Sequence, residues 1–472
     1  MGWYSTLLFE LATRWLPLHR QLWEAAPYAM ALVSVALISW AAWRVAGRWA
    51  AAITGVLLLC AGPQTLTLLF SLNDHSTTWF SLALLAATLI LFHAPPAWLR
   101  SWRAALVVLV VGIIVGANAA SDLLLLAAGV APLLIAAAAS WALRPARATA
   151  RAWWWMLAVS AVMAVSYWLT HWYAHRETVV TPPSVIHNRF AAAEALSGNF
   201  KLWWQSLMVL GDGDFFGLTL GLTSALQLLC GLLTLLAVAL VARLTWRESR
   251  SALALRGAGP RLPPERAAAA RIAWCSFWGS SALLLSASFV FSSNPLDISS
   301  SRYLLGVIYA AAALLPLVGG GRLLARAAIV IATCAFAFTG VLSLLENQAS
   351  NPAAAKAEYA LYNQVAKLAA SKRLQVGYAD YWDAAPLMWD THFRLRAYPV
   401  QDCGGHLCWF YLHMITSWYT PRPRVHTFLL SNTAQPVPAE PIKELGAPSA
   451  TYQLGTITMY VYPYDIASRM KP

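Results

Sequence analysis

Charge is what this sequence has least of. Only 11% of its 472 residues are Asp, Glu, Lys or Arg, while 59% are hydrophobic; a soluble domain usually carries about 25% charged residues. So few charges cannot cover a water-exposed surface of this size, which excludes a wholly soluble fold and makes lipid the solvent for much of the chain. Three catalytic signatures are also missing: the Gly-x-x-x-x-Gly-Lys-Ser/Thr phosphate loop, the His-Glu-x-x-His metal pair and the Gly-x-Ser-x-Gly nucleophile elbow. Without the first, the chain is not its own ATP-driven motor. The amino terminus has no basic start followed by an apolar core, so it does not read as a signal peptide.

What is present is a succession of apolar runs with a mean hydropathy of +0.56. Crossing a hydrocarbon core of about 30 Å takes ~20 apolar residues. Ten segments qualify or nearly so: 25–43, 50–70, 77–93, 104–120, 122–142, 152–172, 219–242, 270–291, 303–320 and 327–345. The pair 104–120 and 122–142 also reads as one interrupted or re-entrant element.

The formal net charge is +13, but the arginines fall in alternate gaps between apolar runs: Arg44 and Arg48, Arg100 and Arg103, Arg144 to Arg151, Arg243 to Arg271, Arg322 and Arg326. That is the positive-inside pattern, and it argues against nucleic acid as the partner. With those gaps cytoplasmic, residues 1–24, 71–76, 173–218, 292–302 and everything after 346 lie outside. An outside start without a signal also matches the tail of an external loop whose preceding helix lies upstream.

After 346 the periodicity changes. A helical stretch at 353–371 is followed by a strand at Leu374–Tyr378, a helix at Asp380–Asp390 and a strand at Phe393–Val400, with later strands at Val425–Leu430 and Thr456–Tyr462. The expected fold is a mainly α-helical polytopic membrane protein with a small C-terminal α/β domain outside the cytoplasm. Its divisions are an external segment 1–24, a membrane domain 25–345 and an extracytoplasmic domain 346–472.

Candidate chemistry collects on the external side. Asp74 and His75, at a helix mouth, can position or deprotonate an acceptor hydroxyl, or simply cap the loop. Asp122 is too costly to carry into lipid and so faces water, a protein cavity or the interface, either binding substrate or capping the next helix. Asp212 and Asp214, spaced by glycine, can hold a divalent cation or form a tight turn. Arg302, with Tyr303, can grip a phosphate through its bidentate fork, and His187 and Arg189 can share that work. Tyr378, Asp380 and Trp382 interleave aromatic rings with acid, which suits sugar stacking and equally a headgroup layer.

Of six cysteines, Cys60, Cys230, Cys275 and Cys334 sit in apolar runs and read as small hydrophobes. Cys403 and Cys408 flank a Gly-Gly-His-Leu segment. Outside the cytoplasm they pair as a disulfide; a metal site with His406 lacks a fourth ligand nearby.

Asn294-Pro295 with Ser301-Arg302-Tyr303-Leu304 before a membrane helix, and Gly377-Tyr378-Ala379-Asp380-Tyr381-Trp382-Asp383-Ala384 opening the terminal domain, give the chain its likeness. It resembles bacterial membrane glycosyltransferases of the C-type superfamily, related to the family 39 mannosyltransferases and the aminoarabinose transferases. The resemblance implies an inner-membrane enzyme making an inverting hexosyl or pentosyl transfer from a polyprenyl-phosphate sugar to a cell-envelope glycan or lipid acceptor. It also implies that Arg302 stabilises the leaving phosphate and a carboxylate takes the acceptor proton. The family's usual catalytic acid lies in the first external loop, where this chain offers only Glu10 and Glu24, neither in an acidic pair. A lipid-linked glycan transporter and a non-catalytic glycan-binding assembly protein are the competing readings.

Overall fold

The computed structural model describes residues 20–70, 75–96, 99, 101–143, 147–176, 189–255, 265–319, 323–391, 394–410, 416–433 and 436–471. Among the described residues eight helices are long and apolar enough to cross a membrane, by length and composition: Ala25–Ala46, Ser76–His93, Ser101–Ser121, Thr149–Tyr173, Leu222–Glu248, Ala267–Phe291, Ile298–Val318 and Leu323–Leu342. Each coincides with an expected segment.

The other two expected spans depart from a straight rod. Segment 50–70 is two helices, Arg48–Leu59 and Pro63–Phe70, bent by 93°. The break falls at Gly62-Pro63, where proline has no amide to continue the ladder. A Cβ on Gly62 would lie 2.6 Å from Cβ of Asp212, so the corner needs glycine to approach that turn. In 122–142 the apolar helix is only Leu126–Ala142: the chain breaks at Asp122 and Leu123, and the helix opens with a π-helical stretch at Leu126–Val130. Asp122 thus stands at a break between helices and not within one.

The chain divides into two compact units, one built on Trp23–Trp172 and Ile186–Asn347, the other on Gln348–Pro472. In the first, some polar atoms on helix faces are satisfied by a neighbouring helix's backbone: Thr54 Oγ1 donates to the Ala312 carbonyl at 3.0 Å and Ser281 Oγ to that of Ala128 at 2.6 Å. Gly112 and Gly116, four apart on one helix, let it meet helix Arg147–Arg176 so closely that a Cβ at Gly116 would lie 2.3 Å from the Met163 carbonyl. This small-residue face is how membrane helices gain dispersion contact when lipid supplies no hydrophobic drive. At one end of helix Ser76–His93 Arg44 donates to the Ala94 carbonyl at 2.5 Å, and at its other end His75 meets Asp122.

The second unit is a six-stranded mixed sheet: β1 Val376–Ala379, β2 Arg396–Asp402, β3 Leu407–Trp409, β4 Thr427–Asn432, β5 Ala450–Leu454 and β6 Ile457–Tyr462, in the order β3-β2-β1-β4-β6-β5. β1 runs parallel to both β2 and β4, and the remaining pairs are antiparallel. Four of these strands lie where the sequence pattern expects them. The hairpin partners β3 and β5 escape the pattern because they are short or alternate weakly. On one face Val365, Ala369 and Leu387 pack against Phe428 and Met459; on the other Tyr378, Tyr398 and Tyr462 pack against Tyr419 and Ile466.

Candidate functional site at the helix mouths

His75 opens helix Ser76–His93, and Thr78 follows one turn later on the same face. Asn118 and Asp122 have the same relation at the end of helix Ser101–Ser121. Packing these two helices brings the four side chains together. His75 Nδ1 lies 2.6 Å from Asp122 Oδ2, and Thr78 Oγ1 donates to the same oxygen at 2.5 Å. The other carboxylate oxygen accepts from the Leu124 amide at 3.1 Å. Beneath them Asn118 accepts from Thr77 at 2.7 Å and donates to Thr78 at 3.2 Å and Ser81 at 3.3 Å, which fixes Thr78 for its bond to Asp122.

Because a carboxylate accepts only, Asp122 fixes the proton on Nδ1 and makes Nε2 the basic nitrogen of His75. Both side chains are 11% exposed. Burial works against the charge of Asp122, but His75, Thr78 and the Leu124 amide together hold its carboxyl below the ordinary carboxylate range.

Tyr303 joins this pair to Arg302. Its ring meets the His75 imidazole edge to face at 5.1 Å. Arg302 lies over the Tyr303 ring at 5.2 Å and donates to its hydroxyl at 3.3 Å. Both residues sit in a 3-10 segment, Ile298–Leu304, whose cap Asp297 accepts from the Ser299 amide at 2.9 Å and the Ser299 hydroxyl at 2.5 Å. Asp297 therefore has local work as a cap. The Arg302 Nε and the fully buried Ser301 hydroxyl have no hydrogen-bond partner among the described residues. Arg302 Nε is thus an unpaired donor on a cationic side chain, of the kind an anion satisfies.

Arg189 is exposed. Its carbonyl accepts from the Ser293 amide at 3.0 Å, and Phe190 bridges Ser292, so a short antiparallel strap ties it to the segment leading into Arg302. Asp74, His187 and Glu10 lie outside the described residues. The carboxylate found beside His75 is Asp122, which sequence proximity alone does not select. Thr78 escapes a sequence reading altogether, although the three-residue step from His75 on a helix is its signal.

Asp212 and Asp214 do not fit a cation site. Asp212 is buried against Gly62 with φ 52°, whereas Asp214 is exposed. Among the described residues no group of three His, Cys, Asp or Glu side chains is placed to hold a metal ion. The turn reading accounts for both: Gly213 closes on Gly231, and the left-handed Asp212 precedes it.

In the second unit Tyr378 is buried in the core, and its hydroxyl donates to Asp465 at 2.8 Å. It presents no surface to a sugar. Trp382 is 67% exposed, and Asp380 accepts from the Trp382 amide at 2.9 Å, holding the two side by side after β1. Burial pushes the Asp380 carboxyl above the usual carboxylate range.

The expected Cys403–Cys408 bond is absent, and both thiols are free. The register pairs Cys408 with Gln401, and Cys403 donates its amide to the His406 carbonyl at 2.9 Å. The cysteines are therefore diagonal neighbours across the hairpin, with the Cys408 thiol in hydrogen-bond contact with that of Cys403. Burial and the nearby Cys403 push the Cys408 thiol up to about 12. His406 is held by Glu444 at 2.6 Å, which gives it a partner other than a metal.

Comparison with protein-family models, with curated proteins and with solved structures finds no match to this chain.

Proposed function

We propose that this chain is a multi-pass inner-membrane glycosyltransferase that moves a sugar from a polyprenyl-phosphate donor to a cell-envelope acceptor on the extracytoplasmic side. The observation that carries the reading is the joining of His75, Asp122, Tyr303 and Arg302 in one cluster at the helix mouths. His75 Nε2 takes the proton of the acceptor hydroxyl as its oxygen bonds to the anomeric carbon. The bond from that carbon to the phosphate oxygen breaks, and its electron pair leaves with the phosphate. Arg302 meets the charge developing there, while Asp122 stabilises the imidazolium that forms.

A transporter reading is favoured less. The charged residues of the candidate spans, such as Arg44, Arg151, Glu248, Arg302 and Arg326, sit towards helix ends, whereas ion-coupled carriers keep titratable groups at mid-membrane. The test is transfer of radiolabelled sugar from polyprenyl-phosphate donors by the full chain in lipid nanodiscs. Arg302→Ala is expected to lower the rate by about 10²–10³-fold, the effect of removing one charge-stabilising donor, with the thermal unfolding midpoint unchanged. Unchanged turnover in that variant would remove Arg302 from the mechanism. Absence of product from folded wild-type chain with each donor tried would turn the assignment towards transport or glycan binding.

A further inference from the structure

The parallel strands of the second unit have ends of opposite charge. β1 pairs Val376 with Arg396 of β2 and with Thr427 of β4, so the chain enters all of them at one edge of the sheet and leaves at the other. The segments leaving them, 380–383, 402–406 and 433–440, carry Asp380, Asp383, Asp402 and Glu440 and no Lys or Arg. The segments entering them carry Lys372 and Arg373, Arg394 and Arg396, and Arg422 and Arg424. Against these cations stand Asp390, the last residue of helix Tyr381–Asp390, and Asp465, which is buried and already paired with Arg422. A surface that need only stay soluble intersperses the two signs; here they are sorted to opposite edges.

The cations are placed to act together. Neighbouring strands lie ~4.8 Å apart, which puts the entries to β2, β1 and β4 within a strip about 10 Å wide. Lys372, Arg373, Arg394, Arg396 and Arg424 are exposed, and among the described residues none of them is in an ion pair. Arg373 and Arg424 stand equally far ahead of the paired Val376 and Thr427, each with a left-handed backbone, φ 56° and 60°. Glycine or asparagine takes that conformation at lower cost, yet both turns carry arginine. Like charges set side by side repel, and an anion laid across them turns that repulsion into attraction.

The edge lacks what a membrane or protein contact requires. Among the described residues the large apolar side chains exposed in this unit are Tyr359 and Trp382. Trp382 follows β1 on the acidic edge, and Tyr359 lies roughly 20 Å of helical rise before Lys372. Cationic surfaces that dock on a bilayer set Trp, Phe or Leu beside their charges, and protein interfaces centre on aromatic anchors. A linear polyanion needs neither. Charge-assisted hydrogen bonds hold it at several points, and the arginine fork fits phosphate oxygens two at a time.

We propose that the strand-entry edge of the second unit binds a linear, water-soluble phosphate polymer, laid across Arg394, Arg396, Arg373 and Arg424. The surface shares no residue with the His75 and Arg302 cluster and stands independently of the transferase reading.

The test uses the full chain in nanodiscs of phosphatidylcholine, which has no net charge, and follows the fluorescence anisotropy of end-labelled short-chain polyphosphate. Arg394→Gln, Arg396→Gln and Arg424→Gln, combined, change only exposed side chains and should leave the unfolding midpoint in place. Binding should weaken by about 10²-fold, roughly fivefold for each cation. Added salt should weaken wild type more steeply than this variant. Arg243→Gln, Arg247→Gln and Arg250→Gln, combined in helix Leu222–Leu255 of the other unit, should leave the affinity unchanged. Equal affinity in wild type and the edge variant would overturn the proposal, as would a loss confined to the variant of the other unit. Capture of phosphatidylglycerol vesicles by wild type, lost in the edge variant and without uptake of polyphosphate, would overturn it in favour of a membrane surface.

Discussion

Two buried carboxylates, one in each unit, use similar partners to opposite ends. Asp465 accepts from the Tyr378 hydroxyl at 2.8 Å, the Arg422 amide at 3.0 Å and the Ala467 amide at 3.1 Å, with the Arg422 guanidinium at 3.4 Å. Two of these donors are backbone amides and the phenol is in the core, so Asp465 pins the end of the chain to the sheet. Asp122 is as well supplied with donors, but one of them is an imidazole whose second nitrogen is basic. A carboxylate saturated by groups that keep their protons holds a fold together. One whose partner is an imidazole, with a donor nitrogen and an acceptor nitrogen, can take part in moving a proton as well.

That contrast is sharpest in a pair of variants. His75→Gln should lower turnover per folded molecule by about 10²–10⁴-fold, the usual worth of a positioned acid or base. Asp465→Ala should lower stability instead. Left without its acceptor, the buried Tyr378 hydroxyl costs about 1–3 kcal/mol of stability, seen as a lower midpoint by tryptophan fluorescence, with turnover per folded molecule preserved. If both variants lose activity in proportion to folded protein, the distinction between the two carboxylates fails.

A smaller effect follows from the pH response of Asp122. Its folded pKa is depressed, so its contribution to stability is present above the unfolded value of ~3.9 and is lost as the pH falls through the lower folded value. His75→Gln removes the charged partner and leaves only Thr78 and the Leu124 amide to oppose burial. The acid limb of a fluorescence unfolding curve should therefore move to higher pH in that variant, and an unmoved limb would mean that His75 and Asp122 are not coupled.

The smallest expected change is at Asp380, where the sign is opposite. Burial raises its folded pKa, so stability is greatest below the unfolded value and declines as the pH rises through the folded one. Asp380→Asn should flatten that decline in the weakly acidic range while leaving transfer activity in place. A slope unchanged by the substitution would assign it to other groups.

Much of this organisation is legible in the residues themselves. Apolar runs of ~20 residues must be helices if they are to satisfy their backbone in hydrocarbon, and eight of the ten expected segments are such helices. Gly62-Pro63 and Asp122 mark the two departures, each by a local rule. The alternation of Tyr378 and its neighbours foretells a strand, and Arg302 at the foot of an apolar run foretells a cation at a helix end. The sequence does not say that His75 answers to Asp122, 47 residues away, or that Tyr378 faces the core while Trp382 faces solvent.

Composition alone thus determined the solvent of each part of the chain and, with it, the kinds of element it forms, because burial and backbone satisfaction act locally on every run of residues. Pairing was decided only in three dimensions. Whether a carboxylate meets an imidazole or an arginine, and whether two cysteines face each other directly or diagonally, depends on helix packing and strand register. Those distances of a few ångströms join residues whose separation along the chain carries no trace of them.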